Sequence, residues 1–230
     1  MKNNKVKKLP TSGSETLFIY DDWINNKRVN NCYAYAVNDL RTYRARKSVP
    51  GDRSGMSNKH HTYTHCKGLT KRVISDNPKN VYKTKAKSTC KPGFYKIMMF
   101  TAKKSKNSLL NDPYGDFHFF KQHNEIKYKV KDGDTAYSIA KFFDVPIGRI
   151  KKHAPFIPNK KIQFKVNTWS HKMGWATGPL LTDSCGKAIK DPRKACKNYS
   201  FNYKNYCSSM CVRKNAVKAG KNSQITHQRF

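Results

Sequence analysis

The chain has 230 residues, long enough for one ordinary domain and a small module. Its 47 Lys and Arg against 14 Asp and Glu give a net charge of +33, with Glu15 and Glu125 the only glutamates, which excludes the balanced surface of a typical cytosolic enzyme. Thirteen Tyr and twelve Phe nonetheless lift it above a disordered polycation, because each buried ring removes a large apolar area from water.

Residues 1–16 are rich in Lys and Asn, contain Pro10 and Gly13, and read as a basic arm. Residues 214–230 read as a basic tail, and both ends are expected to need a partner to become ordered. The apolar Leu17–Tyr20 is too short for a signal-peptide core, and no run approaches the roughly 18 apolar residues of a membrane helix. Neither a classical secretion signal nor a transmembrane segment is therefore expected.

Asn31 is a suitable N-cap for a helix running from Cys32 to Leu40, with Cys32, Tyr35, Ala36, Leu40 and Tyr43 on one face. Cys32 then falls in the first turn. Pro50-Gly51-Asp52 closes this region, and the polar, His-rich stretch 52–92 carries no assignable pattern. Tyr95–Thr101 and Phe117–Gln122 read as strands, with loops at Gly93 and at Asn111-Asp112-Pro113-Tyr114-Gly115.

Residues 128–146 have a different organisation. Tyr128–Val130 reads as a strand, Asp132-Gly133-Asp134-Thr135 as a turn that caps a helix, and a second helix from Pro146 to Lys152 precedes a closing strand at Lys161–Val166. This βααβ unit resembles a LysM module over residues 126–166, with departures at His153 and at Ile157-Pro158-Asn159-Lys160 in its closing half. The resemblance implies binding of N-acetylglucosamine polymers, such as peptidoglycan or chitin, through two strand–helix loops. These are Gly133, Asp134, Thr135 and Ala136, and Phe156, Ile157, Pro158 and Asn159.

Around this unit, Asn31-Cys32-Tyr33-Ala34-Tyr35-Ala36, Gly115-Asp116-Phe117-His118-Phe119-Phe120 and Trp169-Ser170-His171-Lys172 occur in that order, followed by Gly186–Pro192 and Tyr206–Val212. Together they resemble a family related to papain-like wall peptidases of the NlpC and CHAP kinds. The resemblance implies an α+β fold, a helix packed on an antiparallel sheet, in residues 17–125 and 167–213, with the LysM-like unit in the turn between the Asp-Phe-His and Trp-Ser-His strands. It also implies a catalytic triad of Cys32, His118 and His171, in which a helix N-terminus and an imidazole activate the thiol. Asn124 and His123 are weaker alternatives to His171 as orienting group. An active enzyme requires the Cys32 sulfur within hydrogen-bonding reach of His118 in an open cleft; a buried, filled site marks a retired scaffold.

Seven cysteines leave six when Cys32 is a free thiol: Cys66, Cys90, Cys185, Cys196, Cys207 and Cys211. They permit three disulfides without fixing their pairing. Zinc binding by Cys207 and Cys211 with Cys185 or Cys196, or by His60, His61, His65 and Cys66, lacks the paired knuckles of a strong signature. No metal or cofactor is expected.

The favoured reading from composition is a minor capsid or cement-type protein of a large DNA virus, localised to the virion and partnered by other virion proteins and a wall glycan. A cell-wall amidase or endopeptidase is the alternative, and a polyanion-packing protein that contacts nucleic acid or an acidic membrane surface is the second alternative. With 37 Lys to 10 Arg, point-charge contact is favoured over bidentate base reading.

Overall fold

The computed structural model describes residues 6–42, 47–56, 59–103 and 115–220. Six strands form one antiparallel sheet: β1 (Val81–Thr84), β2 (Phe94–Ala102), β3 (Asp116–Lys129), β4 (Lys161–Lys172), β5 (Pro179–Leu180) and β6 (Asn205–Arg213). Their order across the sheet is β1-β6-β2-β3-β4-β5. Five short helices accompany them: α1 (Asp21–Asn25), α2 (Cys32–Ala36), α3 (Cys66–Asp76), α4 (Ala136–Phe143) and α5 (Ile147–Lys151). The mixed α and β architecture expected from the sequence is present, and no helix among the described residues is long and apolar enough to cross a membrane.

Strand alternation divides the core. Ile97, Met99, Phe117, Phe119, Met210 and Val212 face α2 and α3, where they pack with Tyr33, Ala36, Leu69 and Val73. Met98, Phe100, Phe120 and Trp169 face the other way, against Leu9, Ile189, Phe201 and Tyr203. The strands at Tyr95–Thr101 and Phe117–Gln122 are both present, and the second extends to Lys129.

That extension carries the insertion. β3 and β4 pair from Phe120↔His171 to Lys129↔Lys161, with one register shift between His123 and Glu125, and the βααβ unit occupies their far end. The two strands run unbroken from the host sheet into the insert. Ile126, Ile139, Phe143, Ile150, Ile162 and Phe164 form the insert's own core.

The helix that starts at Cys32 has the expected cap: Asn31 Oδ1 accepts the Ala34 N–H at 3.1 Å. It stops at Ala36, short of the expected Leu40, because Val37 caps it and Asn38 turns left-handed with φ 59°. Leu40 is consequently exposed, and Tyr43 lies outside the described residues. So do 111–114 of the loop expected before β3.

Neither end needs a separate partner to become ordered over its described part, a correction to the expected free arm and tail. Leu9 is buried, its carbonyl accepts from Gln122 and Asn167, and Lys8 Nζ donates to the Phe143 carbonyl at the C-terminus of α4. Positive charge there meets the negative end of the helix dipole. At the other end Val217 and Ala219 are buried, and Asp39 accepts from Lys218 Nζ and the Ala219 amide. Apolar residues inside both polar segments supply the anchors; 1–5 and 221–230 lie outside the described residues.

The start of α4 is closed by a reciprocal cap in which Thr135 Oγ1 accepts the Ser138 amide and Ser138 Oγ accepts the Thr135 amide. Thr135→Ala is expected to cost about 1 kcal/mol of insert stability. Faster amide exchange confined to 136–143, with β2 unchanged, checks it.

Candidate functional site

Two regions carry the residues singled out from the sequence. The first lies at the edge of β3. Cys32 occupies the first turn of α2, and its thiol lies 3.8 Å from the Phe117 carbonyl, with the Phe119 amide also bonded to the sulfur. A carbonyl at one position and an amide two residues on point to the same strand edge. β3–β4 pairing ends at Phe120↔His171, so those groups have no strand partner among the described residues and the sulfur takes that place.

The imidazoles meet on the opposite face of the sheet. His118 Nε2 and His171 Nδ1 are 2.9 Å apart, and His171 Nε2 lies 3.0 Å from the Thr182 carbonyl. A carbonyl only accepts, so the Thr182 contact assigns the proton of His171 to Nε2. His171 Nδ1 is then an acceptor, His118 Nε2 its donor, and His118 Nδ1 is left with a bare lone pair. That nitrogen makes no hydrogen bond among the described residues.

This is the tautomer a general base needs, yet the expected Cys32–His118 hydrogen bond is not formed. Alternation sends Phe117 and Phe119 toward α2 and His118 away from it, so Cys32 contacts the strand backbone and not the ring. Nor do the described residues leave an open cleft there. Tyr203 stacks on His118 with centroids 4.8 Å apart, and Tyr199 Oη lies 3.1 Å from His171 Nε2. Burial, reinforced by Asp116, pushes the Cys32 thiol up to about 12. Burial also holds His171 down at about 4 and His118 well below its ordinary value, the latter reinforced by the neighbouring His171. In this state the sulfur is a protonated, shielded thiol.

The groups that sequence reasoning missed here are Thr182, Tyr199, Tyr203 and Asp116, whose Oδ2 accepts the Tyr203 hydroxyl at 2.6 Å. Thr182, Tyr199 and Tyr203 belong to no motif with fixed spacing, and Asp116 stands in the Asp-Phe-His motif without a role read from it. Of the weaker orienting groups, His123 turns to the α2 face and bonds Ser170 Oγ and the Thr16 carbonyl. Asn124 bonds the Gly13 carbonyl at the surface.

The second region is the end of the insert. Gly133 (φ 73°) and Asn159 (φ 71°) are left-handed turn residues, and the Asn159 amide donates to the Val130 carbonyl at 2.8 Å, which brings the two loops side by side. Asp134 is committed to the turn, accepting from the Lys131 amide and the Tyr128 hydroxyl, and Thr135 to the cap. Ala136 and Phe156 are half-buried against the insert core. What the loops present to solvent is Gly133, Ile157 (54% exposed), Pro158 and Asn159, with Tyr137 (63% exposed) beside them. Tyr137 escaped the sequence reading although it is a large aromatic residue immediately after the loop.

Residues 128–163 match the LysM domain family. The insert in the β3–β4 connection is thus a LysM domain, a module whose type points to peptidoglycan or chitin. No curated protein or solved structure matches the chain.

The six remaining cysteines pair as Cys66–Cys207, Cys90–Cys211 and Cys185–Cys196, leaving Cys32 free and buried. The Cys207 bond depends on a bulge. Met99 opposes Ser208 and Phe100 opposes Tyr206, so Cys207 has no partner across from it and turns toward α3. The proposed zinc sets do not form, because every sulfur they need is in a disulfide. Asp183, Cys185 and Cys196 cluster within 4.8 Å, with both sulfurs of that group bonded to each other.

Proposed function

We propose that the protein is a glycan-binding carrier: its LysM domain holds an N-acetylglucosamine polymer while the larger, disulfide-braced domain presents that domain and is hydrolytically silent in its oxidised form. The observation that carries this reading is the burial of His118 and His171 beneath Tyr199 and Tyr203 and of Cys32 against the β3 backbone, set beside the exposed loops of LysM. Binding of chitin oligosaccharides, followed by calorimetry, tests it. Ile157→Asp, on the exposed loop, is expected to weaken binding by about tenfold or more while leaving the melting temperature within about a degree or two. Equal binding by the variant overturns the loop assignment. Oxidised wild type and Cys32→Ala are both expected to release no fragments from peptidoglycan or chitin.

A second reading, a wall amidase or endopeptidase on a papain-like fold, is favoured by one observation, the bare Nδ1 of His118 set by the His118–His171–Thr182 chain. Fragment release by oxidised wild type, abolished in Cys32→Ala, establishes that reading and removes the first. The virion placement rests on composition and charge alone. Its test is copy number in purified particles, where a cement protein appears at lattice multiples.

A further inference from the structure

We propose that the outer face of the β3–β4 ribbon in the LysM domain, built from Lys127, Lys129, Lys161 and Lys165, docks a linear phosphodiester polymer whose repeat carries no base, a poly(polyol phosphate). The inference goes beyond the carrier reading and does not rest on glycan binding.

Strand alternation sorts the residues of the ribbon. Ile126, Tyr128, Ile162 and Phe164 turn inward and pack with Ile139 and Phe143 of α4 and Ile150 of α5. Glu125, Lys127 and Lys129, which stand opposite Lys165, Gln163 and Lys161, therefore share the other face. All four lysines are exposed. Lys161 forms an ion pair with Asp21, and that hydrogen bond chiefly holds the Asp21 carboxyl below its ordinary value, with the charges of Lys129 and Lys127 acting in the same direction. Three cations thus crowd one carboxylate. Lys127, Lys129 and Lys165 make no ion pair and no side-chain hydrogen bond among the described residues. The rung Lys129↔Lys161 sets like charges directly opposite each other, which weakens an antiparallel pair unless an anion lies between them.

The residue types select the anion. Successive outward positions on a strand lie about 6.7 Å apart and positions across the ladder about 5 Å apart, so long Lys side chains offer a closely spaced double row of point charges. Every cation of the rows is a lysine, whereas planar carboxylates are best met by the two-pronged guanidinium of arginine. A phosphodiester chain, with one diffuse negative charge per repeat and a flexible backbone, fits such rows without directional demands. None of the six outward residues is aromatic, so the stacking that holds single-stranded nucleic acid has no platform here and the attraction is to phosphate alone.

The test is binding of dye-labelled poly(glycerol phosphate) to the full-length protein, followed by fluorescence anisotropy from about 50 to 200 mM salt. Lys127→Gln/Lys129→Gln/Lys161→Gln/Lys165→Gln is expected to bind at least about tenfold more weakly, with a log–log salt slope shallower by about 3 than that of wild type. Lys127→Gln/Lys129→Gln, which leaves the Asp21–Lys161 pair intact, is expected to lose about half of that slope. Lys67→Gln/Lys71→Gln/Lys83→Gln/Lys87→Gln removes the same charge from exposed positions of the host domain. At about 150 mM salt, where charges more than about 8 Å away are screened, it is expected to bind within about twofold of wild type. An equal loss in the two four-lysine variants overturns the face, since net charge alone then sets the binding. Oligothymidylate of equal charge is expected to bind no more tightly than poly(glycerol phosphate); tighter binding that is lost in the first variant overturns the base-free polymer in favour of nucleic acid. Melting temperatures within about a degree or two of wild type, as expected for exposed charges, keep unfolding out of the comparison. Chitin binding in the same samples separates the two readings: its loss with polymer binding intact removes only the carrier, and absent polymer binding with chitin binding intact removes only this face.

Discussion

Replacing Cys66 and Cys207 by alanine is expected to lower the free energy of unfolding by about 3–4 kcal/mol, and removing Cys90–Cys211 as well to bring the total to about 8 kcal/mol. The two bonds span 141 and 121 residues and both end on β6, four positions apart. With one intact, the other closes an effective loop of only about thirty residues, which is why the first removal costs less than the full-length loop and the second more. Set against the 5–15 kcal/mol of a typical domain, the double loss approaches the whole stability of the fold. Urea titration of the single-pair and double-pair variants checks this, and equal, additive losses would overturn the shared-strand account. The Cys185–Cys196 bond, with its separation of 11, is expected to contribute about 3 kcal/mol at most.

Acid is expected to destabilise the protein steeply between pH 6.5 and 4. His118, His123 and His171 are buried and neutral in the fold, with His171 held down at about 4 and the other two well below 6.5. Their folded values lie under the unfolded one, so below pH 6.5 the unfolded chain binds protons that the native chain refuses. Stability therefore falls as pH falls, by about 3 kcal/mol from His171 alone on reaching pH 4. Asp76, raised by burial, acts in the opposite sense but is one carboxyl against three rings.

On the alkaline side the sign is favourable. Lys121 lies between the Tyr35 and Trp23 rings and is lowered by burial to about 7; Lys96 and Lys172 are lowered to about 8. The unfolded chain stays protonated up to about 10.5. Stability accordingly rises with pH above 7, until the buried tyrosines Tyr33, Tyr35 and Tyr95, all raised by burial, reverse the trend beyond their ordinary value near 10. A melting temperature in the Cys32→Ala background that is highest near about pH 9, and lower at pH 7 and pH 5, is the expected profile. A maximum at pH 5–6 would show that these groups are solvated.

Wherever a local pattern sufficed, the residues could be read directly. Asn31 before Cys32 announces a helix start because a side-chain carbonyl two or three residues ahead of free amides can cap nothing else. Asp132-Gly133-Asp134-Thr135 announces the LysM turn and the cap of α4 for the same local reason. The hairpin around the insertion was legible too, since the Asp-Phe-His and Trp-Ser-His segments resume one another across a unit whose ends pair. What could not be read is whatever depends on distant chain. The tautomer of His171 is set by a carbonyl at Thr182, the shield over His118 by rings at Tyr199 and Tyr203, and the pairing of Cys207 by a bulge opposite Met99 and Phe100.

The sequence by itself determined that a thiol begins a helix, that two histidines lie on adjoining strands and that a LysM domain fills the bend between them, because each follows from neighbours in the chain and the period of a strand. Only the tertiary structure decided that His118 turns away from α2, that the thiol faces backbone in place of an imidazole, and that two tyrosines close the site. Those outcomes depend on which edge of β3 loses its partner and what packs into the space left there, and no local propensity encodes either.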